Sequence, residues 1–160
     1  MILDSLLEFG DATSVVSNAG ATYNLGTTSN ILVDSSAVSR DLGAGEPVYF
    51  VVTVDTALTA AAAGSITIKL VSDSTTTIAT DGSATTHISQ TFTTDTTASA
   101  ANKTTAGSIM LCAALPRGVT YERYLAVQYT VTTQNMATGK INAFLTKDPN
   151  GWAAYADATN

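Results

Sequence analysis

Apolar and polar residues alternate with a period of two in the middle of this chain, and no comparable stretch repeats at the 3.6-residue spacing of a helix. In GSITIKLV, Ile66, Ile68 and Leu70 alternate with Ser65, Thr67 and Lys69. Successive side chains of a strand point to opposite faces, so this pattern predicts a strand with one buried and one wetted face. Just upstream, Phe50, Val52 and Val54 share one face while Tyr49, Val51, Thr53 and Asp55 share the other. The first of these is the expected core face. Further strands are expected over 31–34, 75–80, 86–92, 108–115, 123–133 and 140–147, about eight in all.

Turn chemistry separates these segments. Gly43, Gly45 and Pro47 precede one strand, Asp81 and Gly82 lie between two others, Pro116 to Gly118 precede another, and Asp148 to Gly151 form the last stop. The alanine run over 60–64 ends in a glycine and is too short to nucleate a helix alone, so it reads as a loop or a single turn. About eight short antiparallel strands in one 160-residue domain leave a two-sheet sandwich of the jelly-roll type or a closed barrel. The uneven strand lengths and connections favour the sandwich. Residues 1–148 are expected to form this all-β domain, with an N-terminal arm over 1–13 and a C-terminal tail over 149–160. Two Ser/Thr/Ala-rich stretches, 11–29 and 93–106, are long for compact connections and read as extended arms on a partner or as mobile surface loops.

The surface this composition makes is polar without being charged. Charged residues are only 12% of the chain, against a usual share of about a quarter, and roughly a quarter of the residues are Ser or Thr. The net charge of -6 and the scattering of the seven Lys and Arg argue against nucleic acid as a partner. The opening MILDSLLEFGDA carries Asp4 and Glu8 and has no basic leader, so it reads as neither a signal peptide nor a membrane span.

No pattern of catalytic or ligating residues stands out. Cys112 is the single cysteine and His87 the single histidine, which rules out an internal disulfide and a Cys/His zinc site of the usual kind. The apolar neighbours of Cys112 in SIMLCAAL predict a buried structural thiol. His87 sits in THISQTF, which alternates like a strand and lacks a nucleophile-elbow pattern, so it reads as a surface or subunit-contact histidine. The aspartates are spread singly without a calcium-loop spacing, and LGAGEP enters a strand where a phosphate loop would enter a helix. Asn102-Lys103-Thr104 matches a glycosylation acceptor that carries little weight without a secretory signal. The expectation is therefore no catalytic residues, no metal and no cofactor. In the tail, Trp152 and Tyr155 read either as cover for a core edge or as anchors on another chain.

Four blocks of the sequence resemble a known family. MILDSLLEFGDA, ILVDSSAVSRDLGAGEPVYFVV from Ile31 to Val52, LPRGVTYERYLAVQYTVT from Leu115 to Thr132, and GKINAFLTKD from Gly139 to Asp148 are similar to the jelly-roll capsid cement, or decoration, proteins of tailed bacteriophages, a type first described for a Bordetella phage. The resemblance implies a non-enzymatic homo-oligomer, dimer or trimer, that joins the outer surface of an assembled icosahedral capsid and clamps neighbouring major capsid proteins. Under this reading neither nucleic acid nor membrane is a partner. Met1, Ile2, Leu3, Leu6 and Phe9 of the arm and Trp152 and Tyr155 of the tail are the expected contact residues. Arg40, Asp41 and Glu46 are expected to brace the turn before the main strand, and Glu122 and Arg123 to do the same at the opposite end. The alternative is a carbohydrate-binding or adhesin-like sandwich on the virion surface, because jelly rolls also present aromatic platforms to glycans.

Overall fold

A computed structural model describes residues 7–26 and 47–149 in full, together with the backbone of 34–35 and 38–39. In chain order the strands are β1 (Glu8–Ser14), β2 (Thr22–Asn24), β3 (Asp34–Ser35), β4 (Val38–Ser39), β5 (Tyr49–Ala60), β6 (Gly64–Asp73), β7 (Thr85–Thr94), β8 (Ile109–Ala114), β9 (Tyr124–Thr132) and β10 (Met136–Thr146). β3 and β4 pair only with each other, as a minimal hairpin. The remaining eight make two four-stranded antiparallel sheets, in the orders β1-β10-β5-β8 and β2-β9-β6-β7.

The pairings are nested. β6 pairs β7, β5 pairs β8, β2 pairs β9 and β1 pairs β10, so the chain is one long hairpin whose bend lies between β6 and β7. Rolling that hairpin adds the contacts β10·β5 and β9·β6 and closes the sandwich. This is the jelly-roll wrap expected from the sequence.

The core lies between the sheets and is built from the alternating residues. Phe50, Val52, Val54 and Leu58 of β5 and Ile141, Ala143 and Leu145 of β10 face Ile66, Ile68 and Leu70 of β6 and Val127, Tyr129 and Val131 of β9. Each large apolar side chain removed from water here contributes about 1.5–3 kcal/mol. Gly139 has φ 138° where the β10 register slips, and a Cβ there would lie 3.0 Å from Leu58. Only glycine meets both demands.

Several expectations change. The 75–80 segment is not a strand: it is a loop laid on the outer face of the second sheet, where Ile78 packs with Val71 and Ala126 in a second, small core. Its alternation comes from a single anchoring side chain and the threonines around it. Two strands were missed in the Ser/Thr-rich N-terminal part. Glu8–Ser14 belongs to the first sheet, so half of the expected arm is domain, and Thr22–Asn24 edges the second. EFGDATS carries no alternation of its own, and partner β10 imposes the extended form through two register breaks. The 93–106 stretch does not reach outward. It runs along β5, with Leu58 N–H donating to Thr104 O at 2.9 Å, Ala60 N–H to Asp95 O at 2.8 Å and Gly107 N–H to Val54 O at 2.8 Å. The 31–34 strand lies outside the described residues except for Asp34, which begins β3. Val51, on the face of β5 opposite the core, is nonetheless buried, as is its cross-strand neighbour Phe144.

Candidate functional site

The register of β6 and β7 brings together residues that the sequence keeps apart. Ser72 Oγ lies 2.7 Å from His87 Nε2, and the same oxygen accepts the Glu122 N–H at 3.1 Å. The His87 ring packs on Tyr121 with centroids 4.1 Å apart, and the Tyr121 hydroxyl donates to Pro116 O at 3.0 Å. Thr85 Oγ1 donates to the Glu122 carboxylate at 2.6 Å. The single imidazole thus stands beside a serine after all, and it is half-buried instead of lying on an open surface. Burial holds the His87 pKa below its ordinary value, and the Glu122 carboxylate opposes that shift in part.

Ser72 Oγ accepts the Glu122 amide and shares a hydrogen bond with His87 Nε2, in which the hydroxyl donates when the neutral imidazole carries its proton on Nδ1. This has the outline of a nucleophile and its base, but Ser72 is 0% exposed, so a substrate cannot reach its oxygen. What the arrangement does is fasten the 115–123 loop to the β6–β7 hairpin. Glu122 braces this turn through its carboxylate and its backbone, while the Arg123 guanidinium sits over the Tyr124 ring at 5.5 Å. Beyond the fastening, Arg117, Gly118, Val119 and Thr120 form an exposed tip, with Val119 47% accessible.

Cys112 departs from expectation. It is exposed, because β8 is an edge strand and Cys112 stands opposite Val51 on the side turned away from the core. Asp73 and Asp81 serve local turns. Asp73 accepts the Thr75 and Ala79 N–H groups at 3.0 Å each, and Asp81 accepts the Ser83 N–H at 3.0 Å and its hydroxyl at 2.7 Å. These bonds favour the charged form and lower both pKa values. Among the described residues, no three His, Cys, Asp or Glu side chains are grouped to hold a metal ion. Thr104, the last residue of the glycosylation pattern, is buried, with its hydroxyl bonded to the Ser99 backbone.

Of the expected contact residues, Phe9 is 6% exposed and meets Phe50 edge to face at 6.1 Å, so its ring is part of the core and not of a free arm. Met1, Ile2, Leu3, Leu6, Trp152 and Tyr155 lie outside the described residues, as do Arg40, Asp41 and Glu46.

Two surface features were not read from the sequence. On the outer face of the second sheet, Thr22, Thr130, Thr67 and Thr91 stand in register across all four strands. Their hydroxyls pair as Thr22–Thr130 at 2.9 Å and Thr67–Thr91 at 2.8 Å. The second feature is an open groove of about 420 Å3 between the edge strands β7 and β8, lined by Gln90 to Thr93, Ala101 to Lys103 and Met110 to Cys112. Only Gln90 left a trace in the sequence, as a polar residue where Ile88 and Phe92 would predict an apolar one.

A family model described as Bbp16 matches residues 16–145, a span that begins just after β1 and runs almost to the end of β10. The description is the name of a Bordetella phage protein family. No curated protein matches the chain.

Proposed function

Since the chain belongs to the Bbp16 family of phage proteins, we propose that it is a capsid decoration protein, which binds the outer surface of an assembled icosahedral shell and stabilises it by bridging major capsid protein subunits. The single observation that carries this reading is the family match over most of the jelly roll, because it joins a phage setting to a rigid all-β scaffold. Two features of the structure support it. The threonine row offers a strip of uncharged hydroxyls, with Lys69 the neighbouring charge on the same face of β6, and such a strip can be laid against another protein with little desolvation of fixed charge. The chemistry-bearing residues are turned to holding loops, as Ser72, His87, Asp73 and Asp81 are.

In this reading the protein acts without catalysis, cofactor or nucleic acid. It is made in the host cytoplasm and works on the virion, as a small homo-oligomer whose modest contacts add through multivalency. Mixing the purified protein with undecorated expanded capsids tests the reading. Co-sedimentation at a fixed ratio to shell subunits, with a higher temperature of capsid disruption, is the expected result. Protein left in the supernatant at saturating concentration, with no change in disruption temperature, would contradict it.

A further inference from the structure

Each sheet of this sandwich turns one face to the core and one away from it, and a side chain on the outward face stays partly accessible unless something lies over it. Thr67 and Thr130, on the central strands of the second sheet, show the uncovered case, for both are half-exposed. Val71 and Ala126 lie further along the same face and are buried, and the loop that carries Ile78 is what covers them.

The first sheet has a covered outward patch of its own. Phe144 lies between the core residues Ala143 and Leu145 and so points outward, and Val51 is its cross-strand neighbour on β5. Val51 is 1% and Phe144 2% exposed, and Thr146, two residues along the same face, is buried as well. Further down that face Thr53 and Asn142 are half-exposed and Asp55 is exposed, so the cover is confined to one end of the sheet. Among the described residues, neither of the two apolar clusters includes Val51 or Phe144, so the segments that build those clusters do not supply the cover.

β10 itself leads the chain onto this patch. The Asp148 N–H donates to Thr146 Oγ1 at 3.1 Å and that hydroxyl donates to the Asp148 carbonyl at 3.4 Å, so the backbone turns back over an outward side chain. The residues that follow, GWAAYADATN over 151–160, hold one charged side chain, Asp157, and two large aromatics, Trp152 and Tyr155. Four residues carry the chain up to about 14 Å from Asp148 to Trp152, while Phe144 lies only about 7 Å back along β10 from Thr146 and Val51 about 5 Å across from it. One tryptophan buries roughly 150–250 Å2, enough to overlie both side chains. The other end of the chain is directed differently, because Leu7 packs on the core between the sheets.

We propose that the chain beyond Asp148 folds back on the outer face of the first sheet and seats Trp152 over Val51 and Phe144. The tail then does for the first sheet what the Ile78 loop does for the second. It also accounts for an apolar pair on the outward face of two core strands, and of the two roles read for the tail aromatics it assigns cover of the fold.

The inference goes beyond the decoration reading and is tested with no capsid present, so its failure would leave capsid binding untouched. Trp152 is the single tryptophan and Cys112 the single cysteine, and Cys112 is exposed directly opposite Val51 on this face. In the full chain, tryptophan emission is expected at shorter wavelength than in urea, protected from acrylamide and unchanged on dilution. A nitroxide attached to Cys112 is expected to quench that emission, and urea to relieve the quenching. Trp152→Ser is expected to raise the binding of a dye specific for apolar surface while the circular dichroism spectrum stays the same. Emission matching that in urea would overturn the proposal, as would a Cys112 nitroxide that leaves the emission intact. Protection lost on dilution would assign the cover to another copy and overturn it too. So would a dye response to Leu3→Ser or Leu32→Ser with none to Trp152→Ser, since another segment would then be the cover.

Discussion

The outer face of the second sheet is finished differently at its two ends. At one end, Ile78 plugs the sheet against Val71 and Ala126, and polar groups tie the covering loop down. Gln128 donates to Asn24 Oδ1 at 2.9 Å and Ala79 O at 2.8 Å, Asn24 donates to Ile78 O at 3.1 Å, and Ser72, His87 and Glu122 close the margin. At the other end, Thr22, Thr130, Thr67 and Thr91 bond to one another in pairs and remain at least partly accessible. The same sheet therefore has one end committed to its own fold and another end on which little of the fold depends. Stability and partner contact should separate by mutation along that division.

The largest effect belongs to the covered end. Ile78→Ala empties a buried site and should cost about 2–5 kcal/mol, read as a lower urea midpoint with an unchanged slope. A cost under 0.5 kcal/mol would mean that the loop is not a second core.

Ser72→Ala comes next. It leaves the Glu122 N–H and His87 without their shared oxygen and should cost about 1–3 kcal/mol by the same measurement. Thr85→Ala removes only the hydroxyl that reaches the Glu122 carboxylate at the exposed rim, and should cost less.

The third test uses pH. His87 has a folded pKa below its ordinary value of 6.5, so the folded state favours neutral imidazole. The unfolded chain takes up the proton first as pH falls. His87 therefore contributes stability that is present above 6.5 and is lost as pH falls through the lower folded value. His87→Gln should flatten the stability profile as pH falls below 6.5. An unchanged slope there would show that the imidazole is not the group responsible. Asp73 and Asp81, whose pKa values are lowered from 3.8, act in the same direction only in more acid solution.

The smallest effect on folding is expected at the bare end. Thr67→Ala with Thr91→Ala should change stability by no more than about 0.5 kcal/mol per residue, because half-exposed hydroxyl pairs contribute little. Binding to capsids should nevertheless weaken if this face is a contact. Unchanged binding would move the contact elsewhere, and the exposed Val119 and Val16 would be the next residues to alter.

How much of this could be read from the chain depends on whether a feature is local. The core faces of β5 and β6 were legible because alternation is a property of neighbouring residues, and Phe50, Val52, Val54, Ile66, Ile68 and Leu70 all face the core. β1 was not legible, because Gly10, Asp11 and Ala12 have no strand pattern and owe their conformation to β10. The 75–80 loop misled because its threonines have high strand propensity, while its actual conformation is set by the Asp73 carboxylate and by Ile78 finding Val71 and Ala126. Cys112 misled because its apolar neighbours say nothing of whether β8 is central or at an edge. The Ser72–His87–Glu122 contact and the threonine row were invisible for one shared reason: both are set by register between strands distant in sequence, and the residues carry no mark of it.

The central claim, decoration of a phage shell, is tested most directly by cryo-electron microscopy of capsids incubated with this protein. The account predicts jelly-roll density on the outer surface, spanning the junction between neighbouring shell subunits, with one or both termini or the threonine face in contact. Shells with no added density, or density only at the tail or inside the shell, would contradict it.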